Sequence, residues 1–296
     1  MIELHHLRYF VAVAETLHFG QAAQQVHVSQ PALSQQIRVL EARLGVQLLE
    51  RNRQTVTLTH AGYLFLTEAR QALEQVDHAV KVAQQAARGE VGQFGIGFVG
   101  SVLYSFLPQA LRIFRERFPA VEWKLHELTS CQQIAALERR QIDIGILHGP
   151  LAERDIHFEC VLRQPLWVAL PSTHPLAKHT AISLTELQNE TFILATREHE
   201  PALHDRYMGI CQQAGFVPHA SQEASQIQTI LGLVEMGLGV FLVAAYLRNF
   251  QHTGVVYIPI AEPAPSIELY VAWHQRSRSP ILTQFWTVLQ EAASQC

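Results

Sequence analysis

The stretch Val28–Gly45, VSQPALSQQIRVLEARLG, carries both the start and the stop of a helix. Ser29 is placed as its N-cap, and Pro31 falls in the first turn, where a missing N–H costs nothing. Leu33, Ile37, Leu40 and Leu44 follow at spacings of 4, 3 and 4 and make one apolar stripe. That stripe belongs to a core. Gln30, Ser34, Gln35 and Arg38 fall elsewhere on the helix, with Gln30 and Ser34 near its exposed start. Glutamine pairs with adenine through two hydrogen bonds, and serine meets several bases or a phosphate. A solvated polar face on an ordinary three-helix core would explain the same residues.

The flanking sequence favours the first reading. Leu7, Phe10, Val11 and Val13 begin one helix upstream, and Ala22, Ala23 and Val26 belong to a second, joined to the third by the tight turn HVS. This is the arrangement of a helix-turn-helix that reads a major groove. Downstream, in LLERNRQTVTLTHAG, Thr55, Val56, Thr57 and Leu58 form a short β-like run behind Arg51 and Arg53. A hairpin holding two arginines beside a recognition helix is a wing, suited to phosphate or minor-groove contact. The net charge of −4 does not exclude DNA, because binding depends on local basic side chains. Residues 1–60 carry five Lys/Arg against four Asp/Glu, and the remainder 17 against 22.

From Leu7 to Gly62, LRYFVAVAETLHFGQAAQQVHVSQPALSQQIRVLEARLGVQLLER with VTLTHAG resembles the N-terminal pattern of LysR-type transcriptional regulators nearly end to end. The rest resembles that family's effector domain more loosely, and GFVGSVLYSFLP is similar to its aromatic-catabolism branch. The resemblance implies a winged helix-turn-helix head, a long linker helix and a two-lobed α/β effector domain like type 2 periplasmic binding proteins. It also implies promoter control in response to a small molecule, a homodimer or homotetramer, and RNA polymerase as a further partner. Carried onto this chain, its DNA contacts fall on Gln30, Pro31, Ser34, Gln35, Arg38, Arg51 and Arg53.

After THAG, the residues Leu66, Ala69, Leu73, Val76, Val80, Ala83 and Ala87 recur at alternating spacings of 3 and 4. So regular and alanine-rich a seam suits the same helix of a second subunit, with packing inside its own chain as the alternative. Two heads related by a twofold axis read two half-sites, so double-stranded DNA with an interrupted palindromic operator is the expected partner. Arg88 and Gly89 end the helix. The expected divisions are a DNA-binding domain 1–58, a linker 59–89 and an effector domain 90–296.

Beyond residue 90, the strand-like runs FGIGFV, VEWKLHE, IDIGIL, PLWVAL, FILA, GVFLVA, VVYIPI and ELYVAW alternate with helices. The pattern predicts an α/β fold with mostly parallel sheets. Lobe I is expected over about 91–163 and 267–296 and lobe II over about 164–266, with crossovers near Cys160–Gln164 and Pro259–Ser266. Ligands bind at the carboxyl ends of such strands. Gly100 and Ser101 follow the first run and Ser130 the second, and both serines are read as helix caps, together an oxyanion-binding arrangement. In the aromatic-catabolism branch such residues hold an effector carboxylate, and Pro201 and Leu203 match positions that line the cleft. His148 stands where that branch often has arginine, and a neutral imidazole holds a carboxylate less firmly. A small carboxylate or aromatic-derived acid is the expected effector. Glu127, Glu198, Glu200 and Glu223 keep a cationic amine open, and Cys131 beside Ser130 keeps an oxidant open.

FGIGFVGS, Phe94–Ser101, also fits G-x-G-x-x-G through Gly95, Gly97 and Gly100. A dinucleotide site would need a strand ending at the first glycine, whereas here the glycines sit inside a strand that feeds a helix beginning near Ser101. A hydrolase using Ser101 would lack the G-x-S-x-G elbow. A regulator, not an enzyme, is expected, without a cofactor or metal: Cys131, Cys160, Cys211 and Cys296 lie far apart, and the pairs His5/His6 and His174/His179 lack further ligands. No secretion signal opens the chain, so a reducing cytoplasm is expected and an exported solute-binding protein is not. Ile230–Leu247, although apolar, is broken by Gly232, Glu235, Gly237 and Gly239 into a buried helix, a turn and a strand.

Overall fold

The computed structural model describes residues 1–52 and 55–296. Arg53 of the wing lies outside the described residues. The chain divides into two compact units, Met1–Gln85 and Ala86–Cys296.

The first unit contains α1 (Leu4–Thr16), α2 (Phe19–Gln25), α3 (Gln30–Leu44), the hairpin strands β1 (Leu49–Arg51) and β2 (Val56–Leu58), and α4 (His60–Ala87), whose last residues pass the boundary. The His18 ring caps α2 by accepting from the Gln21 N–H at 3.1 Å. The Ser29 hydroxyl caps α3 by accepting from the Ala32 N–H at 3.4 Å. His27, in the turn between them, takes a left-handed φ of 55°, a conformation usual for glycine. Gly45 ends α3 at φ 70°. Leu33, Ile37 and Leu40 are fully buried against Phe10 and Val13, as the stripe requires, whereas Leu44 is only half-buried. Thr59 caps α4, its hydroxyl accepting from the Gly62 N–H at 2.9 Å and donating to the Gln47 carbonyl at 2.8 Å. A Cβ on Gly62 would lie 2.1 Å from the Leu48 carbonyl oxygen, so only glycine lets α4 start this close to the wing.

The long seam of α4 has two parts. Leu66 and Ala69 pack into the core of their own chain, beside Phe65, whose ring meets Phe10 edge-on at 5.2 Å. Leu73 and Val76 are half-buried, and Val80, Ala83 and Ala87 are exposed.

The second unit contains β3 (Val91–Phe98), α5 (Leu107–Arg117), β4 (Ala120–Glu127), α6 (Ser130–Glu138), β5 (Ile144–Leu147), β6 (Ile156–Pro171), β7 (Thr191–Ala195), α7 (Pro201–Gln213), β8 (His219–Ala224), α8 (Ile227–Glu235), β9 (Phe241–Ala244), β10 (Val255–Pro259), β11 (Ser266–His274) and α9 (Pro280–Ala293). Its main sheet runs β10-β6-β11-β5-β3-β4, with β9 also on β6. The expectation of mostly parallel pairing needs correcting. β3 is parallel to β4 and β5, and β7 to β8, but every pairing of β6, β10 and β11 in that sheet is antiparallel. The first expected crossover, Cys160–Gln164, lies inside β6, a single strand of 16 residues. Its first half pairs with β11 beside β5, and its second half pairs with β9 and β10. Within the β11 ladder the register shifts, leaving Val161 as an extra residue opposite the Leu269–Tyr270 step.

Helices cover the sheet through aromatic contacts. Phe285 of α9 meets Phe94 of β3 at 5.5 Å and Phe114 of α5 at 4.9 Å, and all three rings are buried. Burying each contributes about 2–3 kcal/mol. The Ile230–Leu247 stretch is α8, a turn with Gly237 at φ 75°, and β9, and no described helix is long and apolar enough to cross a membrane.

Candidate functional site

At the start of α3, Gln30, Pro31, Gln35 and Arg38 are exposed and Ser34 is half-buried. Packing fixes this orientation, since Leu33, Ile37 and Leu40 hold the opposite face at full burial. The wing is tied to the same helix through Glu41. Its Oε1 accepts from the Leu48 and Leu49 N–H groups at 3.0 and 3.1 Å, and its Oε2 accepts from Arg51 Nη2 at 2.9 Å. The Arg51 guanidinium also lies 4.9 Å over the Phe19 ring. Arg51, expected as a DNA contact, is held within the head by these two contacts, which brace the hairpin. Glu41 was not singled out from the sequence, because i to i+10 pairing across a turn leaves no periodic signal.

The three glycines of FGIGFVGS serve packing. A Cβ on Gly95 would come within 3.0 Å of the Ile142 Cα, and one on Gly97 within 2.5 Å of the Ile142 Cδ1 and 3.1 Å of the Gln133 Oε1. A Cβ on Gly145 would lie 2.7 Å from the same oxygen. Gly97 and Gly145 thus open a slot in the sheet into which α6 lowers Gln133, whose Nε2 donates to the Leu128 and Ile146 carbonyls at 3.0 and 3.1 Å. Gly100 makes room for the Glu127 carboxylate.

Neither serine is a cap. Ser101 sits within a short 3-10 turn, Gly100–Tyr104, that makes no side-chain cap, and the helix expected to run on from it begins anew at Leu107. α6 is capped by Thr129, whose hydroxyl accepts from the Gln132 N–H at 3.4 Å while the Gln132 Oε1 accepts from the Thr129 N–H at 3.0 Å. Ser130 is the first residue of α6 and is fully buried. Its N–H donates to Glu200 Oε1 at 2.9 Å and its hydroxyl to Glu200 Oε2 at 2.5 Å. The His148 N–H donates to that hydroxyl oxygen at 3.2 Å, which directs the hydroxyl proton towards the carboxylate. The two Ser130 donors expected to meet an effector oxyanion are thus both taken by a side chain of the same molecule. Burial pushes the Glu200 carboxyl up to about 6 against the pull of both Ser130 bonds.

Beside Glu200 lies a narrow cavity of about 40 Å³, lined by Gly100, Ser101, His148, Glu200, Leu203 and Tyr246 among others. His148 and Leu203 also border a wider chamber of about 500 Å³, which Pro201 lines as well. The expected effector residues thus gather at one place, apart from Ser130, which stands behind Glu200. Burial pulls the His148 imidazole down to about 4 and so keeps it neutral, and its Nδ1 has no hydrogen-bond partner among the described residues. The Tyr246 hydroxyl reaches Ser101 Oγ at 3.4 Å. Tyr246 follows β9, so the rule that ligands lie at carboxyl ends of strands would have found it. Arg206 lines only the wider chamber, where its Nε and Nη2 donate to the Ser266 carbonyl at 3.2 and 2.7 Å. No lysine or arginine is among the described residues that line the narrow cavity.

Of the acidic residues marked in the sequence, only Glu200 lines the narrow cavity, while Glu198 and Glu223 are exposed. Cys131 is half-buried, and burial, with Glu200 and Glu153 nearby, pushes its thiol up, which keeps the reactive thiolate scarce.

Residues 4–63 match the family described as bacterial regulatory helix-turn-helix protein, lysR family, and residues 87–294 match the LysR substrate binding domain. The chain is 40% identical over 284 residues to the HTH-type transcriptional regulator AlsR of Bacillus subtilis (strain 168), a match covering 96% of this chain and 94% of that protein. It is 39% identical over 290 residues to the Hca operon transcriptional activator HcaR of Escherichia coli (strain K12), covering 98% of each. Among solved structures, CbnR, a LysR family transcriptional regulator, superimposes with a TM-score of 0.87 at 27% identity, covering 97% of this chain and all of CbnR. Full-length CbnR complexed with its target DNA gives 0.85 at the same identity, covering 99% of this chain.

Proposed function

The chain belongs to the LysR family of DNA-binding transcriptional regulators with an effector-binding domain, and from that premise we propose that it reads its operator through the start of α3 and answers to a small acid in the cleft of its second unit. The observation that carries the DNA reading is the split of α3 into a fully buried apolar face and an exposed one bearing Gln30, Gln35 and Arg38. Gln30, Pro31, Ser34 and Gln35 meet base edges and sugar-phosphate, Arg38 and Arg53 supply charge, and Arg51 holds the wing in place. The uncovered stretch of α4 from Leu73 to Ala87 is the face on which a second copy pairs, so that two heads read an interrupted palindrome, and such dimers assemble further into tetramers. The regulator acts in the cytoplasm and engages RNA polymerase at the promoter.

The effector is a small carboxylate or aromatic-derived acid. Its carboxyl group faces Ser101 and His148 in the narrow cavity and its body extends past Leu203 and Pro201 into the wider chamber, whose 500 Å³ suits a compact ring. Titrating the full-length protein onto its own promoter fragment, with and without small acids, tests both halves. Sequence-specific binding that an acid alters is the expected result. Equal affinity for unrelated DNA would sink the reading of α3, and no response to any acid would sink the reading of the cleft.

A further inference from the structure

The start of α6 is satisfied from within, and this dictates how an acid enters the cavity beside it. Both donors of Ser130 are engaged by Glu200, and the His148 N–H holds the hydroxyl in that orientation. Among the described residues, no lysine or arginine lines the narrow cavity to balance a second negative charge. His148, whose buried Nδ1 has no hydrogen-bond partner among the described residues, lines this cavity together with Ser101. Two carboxylates in one desolvated site without a cation do not both stay ionised, and they share a proton instead. We propose that the narrow cavity binds a small carboxylic acid only together with one proton, held between the acid and Glu200, so that Glu200 determines the cavity's preference for an acid over its free anion.

This rests on the reading that the cavity takes the effector's carboxyl group. One carboxylate and one proton leave the solvent: the buffer acid's bond to that proton breaks, an O–H bond forms on one of the two carboxylates, and that O–H donates a hydrogen bond to the other. Glu200 is the group poised to take the proton. It faces Ser130 and Cys131 on α6, His148 after β5, Tyr207 on α7 and its own neighbour His199, while the His204 N–H donates to its carbonyl. Burial holds the Cys131 thiol and Tyr207 phenol protonated and His148 neutral, and the half-exposed His199 pulls Glu200 down only in part. The carboxyl of Glu200, pushed up to about 6, accepts a proton at small cost near neutral pH.

Calorimetry on the full-length protein with acetate, propionate and benzoate, between pH 6.5 and 8 and in two buffers of different ionisation enthalpy, tests the coupling. Uptake of one proton per acid is expected, with affinity falling about tenfold for each pH unit. Glu200→Gln is expected to flatten that dependence and to strengthen binding at pH 8. An affinity independent of pH without proton uptake, a slope that Glu200→Gln leaves intact, or selective binding of methylammonium in place of the acids would each overturn the coupling, while leaving the cavity as the effector site. The wild-type measurements decide this even if the variant does not fold. Acid binding untouched by Ser101→Ala and by Leu203→Trp, or no binding of any probe, would remove the cavity as the effector site and the coupling with it.

Discussion

Two helices of this chain begin in much the same way, and their first turns serve opposite ends. α3 starts behind the Ser29 cap and presents Gln30 and Gln35 to solvent. α6 starts behind the Thr129 cap and presents the Ser130 N–H and hydroxyl to the buried carboxylate of Glu200. Both starts offer unpaired backbone donors and a positive dipole end, as helix starts do. Burial separates them. An exposed start leaves its donors to water until a partner arrives, whereas a buried one must be satisfied at once, here by a residue 70 positions away.

The largest expected effect separates two ionisable neighbours of the buried start. Glu200 has a folded pKa of about 6, above its ordinary 4.5, so the folded state binds the extra proton and stability falls by about 2 kcal/mol as pH rises through that window. His148 has a folded value of about 4, below its ordinary 6.5, so its stability contribution is present above 6.5 and is lost, by about 3 kcal/mol, as pH falls towards 4. The two oppose each other in the wild type. Denaturant melts from pH 4 to 7 should therefore show stability climbing more steeply with pH in Glu200→Gln than in the wild type, and less steeply in His148→Asn. Identical profiles for all three proteins would break the account of this start.

Next in size, Ser130→Ala removes a bond to a charged, buried partner and should cost about 2 kcal/mol, seen as a lowered melting temperature. Ser29→Ala removes an exposed cap and should cost about 1 kcal/mol. Equal losses would mean that burial does not distinguish the two starts.

On the exposed start, Arg38→Ala should weaken operator binding about tenfold and lower the slope of log affinity against log salt by about one, with the melting temperature unchanged. Fluorescence anisotropy at several salt concentrations reads both. Smallest of all, Arg51→Ala should cost the head about 1 kcal/mol through its Glu41 and Phe19 contacts and affect DNA binding only through the wing. A shallower salt slope with stability intact would return Arg51 to the DNA contacts.

The same difference explains what the sequence discloses. α3 is legible because its cap, its stripe and its Gly45 stop lie within eighteen consecutive residues. The pairing of Ser130 with Glu200 is set by folding, and local pattern placed Glu200 only among four acidic residues near a cleft. Strand β8, HASQEA, is polar and exposed almost throughout, so it has no alternation to betray it. Half of β6 leaves no clear signal for a related reason, since IHFECVLR mixes buried, half-buried and exposed positions without a clean period. Ser101 looked like a cap because the apolar spacing runs through it, yet the chain turns tightly there and Leu103 is exposed.

The continuity of β6 bears on how a signal leaves the cavity. A strand laddered to β11 along its first ten residues and to β9 and β10 along the rest resists stretching and shear and yields to torsion. Its slack lies at Val161, where one residue has no counterpart across the ladder. Effector binding should therefore turn one half of the main sheet upon the other about this strand without prising them apart, and hydrogen exchange would register the event at residues 160–163 ahead of the rims of the cleft.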